Sequence, residues 1–87
     1  MAAAQQVYYP AFDRAFFSLP PDIQARIQDR IDALGLQLQN FSHYRLTGSE
    51  DYRLRVGDYR VIYNFDLSEN ILYLWNLGHR RSVYRSM

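Results

Sequence analysis

Arginine carries most of the chemistry that this sequence offers. All ten basic residues of the 87-residue chain are arginines, and three of them, Arg53, Arg55 and Arg60, lie close together. A guanidinium group presents a planar fork of donors that matches the oxygen atoms of a phosphate. The spacing therefore indicates phosphate binding, or chemistry at a phosphate, as the first function to consider.

These arginines fall in a stretch typical of a β-hairpin. Two runs rich in Tyr, Val, Ile and Leu flank the turn pair Gly57-Asp58. A two-residue turn sets the register, which predicts that Arg55 stands directly opposite Arg60. Because side chains alternate along a strand, the other face of the hairpin is apolar and suited to a core. That face carries Tyr52, Leu54, Val56, Tyr59, Val61 and Tyr63.

Two like charges placed opposite each other destabilise a sheet by about 0.2–1 kcal/mol. One interpretation is that an anion binds between Arg55 and Arg60. The alternative is that Glu50, Asp51 or another carboxylate neutralises the pair, or that both guanidinium groups extend into water. The hairpin alone leaves both interpretations open.

Other kinds of chemistry have little support in the sequence. The chain has no cysteine, which excludes disulfides, thiolate zinc sites and cysteine nucleophiles. It has no glycine-rich phosphate loop and no pair of ligands at metal spacing, so we expect no cofactor and no metal. Of the two histidines, His79 lies near the arginines, whereas His43 is on an earlier segment and is more typical of a structural residue.

Composition limits the class of protein. At 87 residues and a net charge of +1, the chain is expected to form one small domain, residues 1–87, without the bulk charge of a protein that coats nucleic acid. Aromatic residues make up 16% of the sequence, and basic charge interleaved with aromatic rings suits RNA. No signal peptide or membrane-spanning stretch is recognisable, so a soluble cytoplasmic protein is expected.

The N-terminal half predicts a helical hairpin that packs on a sheet. A short strand is predicted at Val7–Tyr9, and Pro10 is well placed to begin a first helix. A second helix begins at Pro21 and has the clearest periodicity in the chain. Its apolar stripe consists of Ile23, Ile27, Ile31, Leu34 and Leu38.

The C-terminal half predicts strands that meet at the arginines. A short strand at His43–Leu46 precedes the hairpin, and a central strand runs from Ile71 to Leu77, where Gly78 marks its end. In an antiparallel meander this last strand finishes beside Arg55 and Arg60. The residues predicted to converge there are Arg53, Arg55, Arg60, His79, Arg80 and Tyr84.

At this point the sequence resembles a known family. The order and spacing of Leu46-Thr-Gly, Tyr52-Arg-Leu-Arg-Val-Gly-Asp-Tyr-Arg-Val-Ile-Tyr63 and Gly78-His-Arg-Arg-Ser-Val-Tyr-Arg85 are similar to the RelE branch of the RelE/ParE toxin superfamily. The resemblance extends from about Tyr8 to Arg85. It implies an α+β, microbial-RNase-type fold, in which an N-terminal helical hairpin packs on one face of an antiparallel sheet.

The resemblance also implies a function and its partners. RelE-type toxins of type II toxin–antitoxin pairs cut mRNA in the ribosomal A site, without a metal, by attack of the 2′-OH. A cognate antitoxin neutralises such a toxin, and the pair contacts operator DNA through the antitoxin. The site residues that the resemblance implies are Arg53, Arg55, Arg60, Arg80 and Tyr84. Together with His79, which lies near them in the sequence, the predicted catalytic residues are Arg55, Arg60, Arg80, Tyr84 and His79, and the predicted RNA-binding residues are Arg53, Arg45, Arg81 and Arg85.

One departure from the family affects the mechanism. The first-strand positions that correspond to Arg53 and Arg55 are lysines in the best-known pattern, and one of those is thought to help proton transfer. Arginine keeps its proton in proteins, so it binds a phosphate well but is a poor general base. His79 is then the nearby group that titrates near neutral pH, and it is interpreted either as the base or as a histidine hydrogen-bonded at a strand end.

Two other functions remain open. A ParE-like toxin would share the fold but poison DNA gyrase as a binding protein. A non-catalytic module would bind the antitoxin and regulate the operon.

Overall fold

The computed structural model describes residues 2–79. Two helices and five strands follow one another along the chain. They are β1 (Gln5–Tyr8), α1 (Pro10–Phe17), α2 (Pro21–Leu36), β2 (Tyr44–Arg45), β3 (Tyr52–Val56), β4 (Tyr59–Asp66) and β5 (Ile71–His79). The five strands form one sheet in the order β1-β5-β4-β3-β2. None of the helices in this range has both the length and the apolar content needed to span a bilayer.

The predicted α+β class and the helical hairpin on one face of the sheet are confirmed. The sheet is mixed rather than wholly antiparallel, since β1 runs parallel to β5 while the other neighbouring strands are antiparallel. The parallel pair arises because α1 and α2 separate β1 from the other strands along the chain. After the helices the chain re-enters the sheet at β2, at the opposite edge from β1, and β5 is the strand that finally pairs with β1.

The core lies between the helices and one face of the sheet. The predicted stripe of α2 supplies Ile27, Ile31 and Leu34, none of which is exposed to solvent. Opposite them lie the apolar residues of the hairpin and of β5, again fully or almost fully buried. These are Leu54, Val56, Val61, Tyr63, Leu72, Leu74 and Leu77.

An irregularity in the pairing of β4 with β5 shapes the end of the sheet where the arginines lie. The register shifts between Ile62 and Tyr63, so that Trp75 has no direct partner on β4. Because the extra residue interrupts the alternation, Leu74 and Leu77 both face the core although they are three positions apart. The strand continues through Gly78 and ends at His79, two residues later than the sequence predicts.

Candidate functional site

The β3–β4 hairpin has the register that the sequence predicts. Val56 pairs with Tyr59, Arg55 with Arg60, and Arg53 with Ile62. Gly57, the first turn residue, has a φ of 59°, which belongs to the left-handed region that glycine adopts without steric cost. The two arginines are therefore direct neighbours across the hairpin, on the face of the sheet opposite the helices. We call this surface the arginine face; its described basic residues are Arg53, Arg55 and Arg60.

Arg60 is the unusual member of this group. Only 5% of the residue is exposed, and its Nε atom, fully buried, has no hydrogen-bond partner among residues 2–79. Its Nη1 donates at 3.3 Å to the carbonyl oxygen of Tyr59 and at 3.5 Å to that of Gly57. On β5, the residue that pairs with Arg60 is Gly78, which has no side chain to contact it. A buried donor without a partner costs about 1–3 kcal/mol, so this position is costly for the fold.

Acidic neighbours do not neutralise the arginine face. The Oδ1 atom of Asp51 accepts a hydrogen bond from Asn64 at 3.3 Å, and Asn64 also donates to the backbone carbonyl of Glu50. Within residues 2–79, Arg53, Arg55 and Arg60 make no ion pair with a carboxylate. Arg53 and Arg55 extend into water, as the alternative interpretation allowed, but Arg60 does not. The positive charge is thus left uncompensated around a buried guanidinium group, which favours the interpretation as an anion site.

His79 does not converge with these arginines, contrary to the prediction. It pairs with Tyr59 at the end of β5, and the two rings lie 6.1 Å apart in an edge-to-face arrangement. Tyr59 packs against the core on the helix side, and residues paired across strands share a face. The imidazole is therefore on the opposite side of the sheet from Arg60. The prediction placed the C-terminal end of β5 beside the hairpin correctly but did not account for the alternation of its side chains.

The remaining predicted site residues divide into two groups. Arg45 lies on β2 and pairs with Tyr52, whose ring centre is 5.5 Å from the Arg45 guanidinium carbon. Because Tyr52 packs against the core, Arg45 is also on the helix side and is not part of the arginine face. The other group lies outside the described residues and consists of Arg80, Arg81, Tyr84 and Arg85.

His43 has the structural role expected for it. Its Nε2 lies 2.8 Å from the carbonyl oxygen of Leu38, and its Nδ1 lies 2.6 Å from the hydroxyl oxygen of Tyr63. Since a carbonyl only accepts, Nε2 carries the proton in the neutral ring and the Tyr63 hydroxyl donates to Nδ1. Burial raises the pKa of Tyr63 above its ordinary value, which keeps the hydroxyl protonated. The imidazole ring of His43 also stacks on Phe65 at a centroid distance of 4.1 Å.

Two residues beside the arginine face were not identified from the sequence. Tyr44 pairs with Arg53 and is 62% exposed, and Arg30 of α2 lines a cavity of about 300 Å³ together with Tyr44, Arg53 and Arg55. The sequence around Tyr44 has no pattern that would identify it as a site residue, because β2 is only two residues long. Its position depends on a pairing across the Leu46–Asp51 connection, which periodicity does not report.

The sequence and the fold match one family. A family model described as the ParE toxin of the type II toxin–antitoxin system parDE matches residues 8–84. No curated protein matches the chain. Since the family model spans most of the chain, it supports membership of the family on its own.

Solved structures give the fold in more detail. The RelE–RelB complex from the archaeon Pyrococcus horikoshii is 25% identical, with a TM-score of 0.74, and the match covers 94% of this chain and 100% of that one. The RelBE2 complex from Mycobacterium tuberculosis is 22% identical, with a TM-score of 0.74 and coverage of 92% and 94%.

The isolated RelE toxin of E. coli is 13% identical, again with a TM-score of 0.74, and the match covers 98% of this chain and 100% of that one. At this identity the likeness is one of fold. The family model is named for ParE and these structures for RelE, so the comparisons identify the superfamily without separating its branches. The chain belongs to the ParE/RelE family of toxins of type II toxin–antitoxin systems and has a RelE-like fold.

Proposed function

We propose that this toxin is a ribosome-dependent mRNA endonuclease that cuts mRNA in the A site. The observation that carries the proposal is the opposed pair Arg55–Arg60, with Arg60 buried, lacking a partner for its Nε atom and unneutralised by any carboxylate in the described chain. Such an arrangement is costly for the fold and favourable for an anion. A phosphate of the RNA backbone supplies the charge and the acceptor oxygens that these donors lack.

The reaction follows from the chemistry of RNA. The 2′-oxygen loses its proton and attacks the adjacent phosphorus, so that a new P–O2′ bond forms as the P–O5′ bond breaks. The 5′-oxygen takes up a proton as it leaves, and the products are a 2′,3′-cyclic phosphate and a 5′-hydroxyl. Negative charge accumulates on the phosphorane oxygens, and fixed donors aimed at that charge accelerate the reaction without further reorganisation. Arg60 has this role in the proposal, together with Arg80.

Arg53 and Arg55 have a different role. Both are exposed on β3, where Arg55 pairs directly with Arg60 and Arg53 lies two residues away on the same face. They hold the backbone on either side of the cleaved bond and add to the positive field. Tyr84 stacks on a base or orients the 2′-OH, and Arg81 and Arg85 contact RNA. The assignments of Tyr84 and Arg80 rest on the family resemblance, and those of Arg81 and Arg85 rest on their place in the basic C-terminal segment of the sequence.

Proton transfer is the step that the arginine face supports least, because its described basic residues are all arginines. His79 lies on the opposite side of the sheet, and both ring nitrogens of His43 are engaged in hydrogen bonds on the helix side. We infer that orientation and positive charge provide most of the rate enhancement. Holding the 2′-OH in line with the scissile bond is then the task of the ribosome, since a fixed near-attack geometry supplies a large part of such a barrier. This division of labour accounts for ribosome dependence.

The proposal includes a protein partner. The similar structures from Pyrococcus horikoshii and Mycobacterium tuberculosis are complexes of a toxin with an antitoxin. An acidic antitoxin that folds on binding would neutralise the arginine face in the cytoplasm and would connect the toxin to operator DNA. The toxin itself contacts mRNA, the ribosome and the antitoxin.

A second function has one specific observation in its favour. The family model that matches residues 8–84 is described as the ParE toxin. A ParE-like protein would act on DNA gyrase as an inhibitor and would use the arginine face, if at all, as a binding surface only. The like-charged Arg55–Arg60 pair favours the nuclease, because protein binding alone does not require a buried guanidinium group with a free donor.

Two assays on the same purified wild-type toxin decide between these functions. In one, 70S ribosomes programmed with a defined mRNA are incubated with toxin, and the cut positions are mapped by primer extension. In the other, gyrase supercoils relaxed plasmid in the presence of toxin. The proposal predicts cuts at the A-site codon and undisturbed supercoiling. Supercoiling inhibition without cuts would establish the gyrase function, and neither activity, with normal growth on expression, would establish a non-catalytic module.

A further inference from the structure

An exposed aromatic ring lies in line with the arginine face. Tyr44 on β2 is 62% exposed and pairs directly with Arg53, and directly paired residues in an antiparallel sheet share a face. Its neighbour along the chain, Arg45, is on the helix side with Tyr52. On this face the Tyr44 ring therefore lies beside Arg53, and the pair Arg55–Arg60 lies two residues further along the hairpin.

A cavity of about 300 Å³ opens at the outer edge of β3 beside this ring. Among the described residues, its lining consists of Arg30, Phe41, Tyr44, Arg53, Leu54 and Arg55, and includes no acidic side chain. The edge is accessible because β2 pairs only with Tyr52 and Arg53, and no other strand of the described chain covers β3 on that side. Arg30 reaches the cavity from α2, so the positive charge continues beyond the arginine face.

An exposed ring that lines a cavity together with three arginines fits single-stranded nucleic acid. Proteins that bind single strands combine a positively charged groove along the backbone with aromatic rings on which bases stack. An acidic peptide would pair with the same arginines, but its carboxylate side chains present no aromatic surface on which the Tyr44 ring could stack. Because that ring lines one cavity together with Arg53 and Arg55, the groove favours a nucleotide over an acidic peptide.

We propose that Tyr44 is the stacking platform for a base of the mRNA next to the cleaved phosphate, and that Arg30 and Arg53 hold the phosphates of that flanking nucleotide. The inference rests on the proposed endonuclease function and extends its substrate site from the arginine face to the outer edge of β3. It assigns a recognition role to two residues, Tyr44 and Arg30, that the family resemblance leaves without one.

The test measures binding separately from cutting. Ribosomes are programmed with mRNA that carries 2′-O-methyl groups in the A-site codon, which removes the attacking hydroxyl, and the affinity of labelled toxin for them is determined. Tyr44→Ala is expected to weaken this affinity about 10-fold, within the range for loss of one base–aromatic contact. Tyr44→Phe keeps the ring and is expected to bind like wild type. Phe17→Ala, which removes a ring that is 72% exposed on α1, is the matched control and is expected to have no effect.

Arg30 is tested by the dependence of affinity on salt. Removing one phosphate contact reduces the slope of log affinity against log salt by about 1. We expect this reduction for Arg30→Gln and an unchanged slope for Arg14→Gln, which removes an exposed arginine from α1.

Each other outcome overturns the inference. Wild-type affinity for Tyr44→Ala would show that no base stacks there, and a Tyr44→Phe defect as large as that of Tyr44→Ala would assign the effect to the hydroxyl group. Variants that bind programmed ribosomes normally but lose affinity for the antitoxin would show that the groove binds protein. In all three cases wild type still cuts mRNA, whereas failure of wild type to cut or bind programmed ribosomes would overturn the proposed function and the inference together.

Discussion

The two faces of the β3–β4 hairpin differ in whether their buried polar groups are hydrogen-bonded. On the helix side, His43 and Tyr63 satisfy each other, and the second nitrogen of His43 is bonded to the carbonyl oxygen of Leu38. On the arginine face, Arg60 is almost as buried as Tyr63, but its Nε donor has no partner in the described part of the chain and a like charge lies opposite it. The same strand, β4, carries both Tyr63 and Arg60.

The difference distinguishes the His43–Tyr63 pair, which stabilises the fold, from Arg60, which we propose binds a ligand. Satisfied polar groups stabilise a core and fix its geometry, whereas an unsatisfied buried donor costs stability that only a bound acceptor returns. Folding alone would favour an apolar residue in place of Arg60. The proposed anion site accounts for its presence, and on this proposal removing each group should change stability in opposite directions.

The largest expected change in stability is on the helix side. His43→Ala should lower the free energy of unfolding by about 2–4 kcal/mol, because it leaves the Tyr63 hydroxyl and the Leu38 carbonyl without partners, each at about 1–3 kcal/mol. Urea denaturation followed by circular dichroism measures the change. Ser42→Ala, at the exposed neighbouring position, is the control. A His43→Ala protein as stable as wild type would show that the pair does not hold the fold.

The opposite sign is expected on the arginine face. Arg60→Met should raise the free energy of unfolding by about 1–3 kcal/mol, since a long apolar side chain fills the space and removes the unpaired buried donor. Arg14→Met, on an exposed position of α1, should change stability by less than about 0.5 kcal/mol. If Arg60→Met is clearly less stable than wild type, Arg60 supports the fold and the contrast between the two faces is lost.

A smaller effect tests the hydrogen bond of Tyr63. Tyr63→Phe should cost about 1 kcal/mol at neutral pH, because it removes the donor to His43. Burial raises the pKa of Tyr63, so the native state keeps the proton that the unfolded state releases. The contribution of Tyr63 is therefore complete below about pH 10, and stability falls above it as the unfolded tyrosine ionises.

Denaturation at neutral and alkaline pH checks this sign. The stability difference between wild type and Tyr63→Phe should shrink above about pH 10, because phenylalanine has no proton to lose. A difference that grows with pH in this range would contradict the assignment of Tyr63 as a buried, protonated donor.

The smallest effect is expected at His79. His79→Ala should cut programmed mRNA at the rate of wild type, because its imidazole lies with Tyr59 on the helix side. Single-turnover cleavage measures the rate. A loss of about 100-fold or more, the amount typical of a general base, would mean that His79 reaches the substrate around the end of the sheet.

Local patterns predicted much of this molecule. The stripe of α2 follows from helical periodicity, and the pairing of Arg55 with Arg60 follows from a two-residue turn, so both were available from the sequence. The parallel pairing of β1 with β5 was not, because it joins segments that are distant in the chain. Likewise, the face of the sheet on which His79 lies depends on its pairing with Tyr59, and the position of Tyr44 depends on a strand of only two residues.

The most direct test of the central claim is mRNA cleavage in programmed 70S ribosomes by Arg60→Ala, compared with wild type and with Arg14→Ala as the control. Arg80→Ala in the same assay tests the assignment that rests on the family resemblance. The account predicts that Arg60→Ala loses about 100-fold or more in single-turnover rate while remaining folded, as expected for removal of a donor to transition-state charge. Cleavage by Arg60→Ala at the wild-type rate would contradict the account, because the buried arginine would then have no part in the reaction.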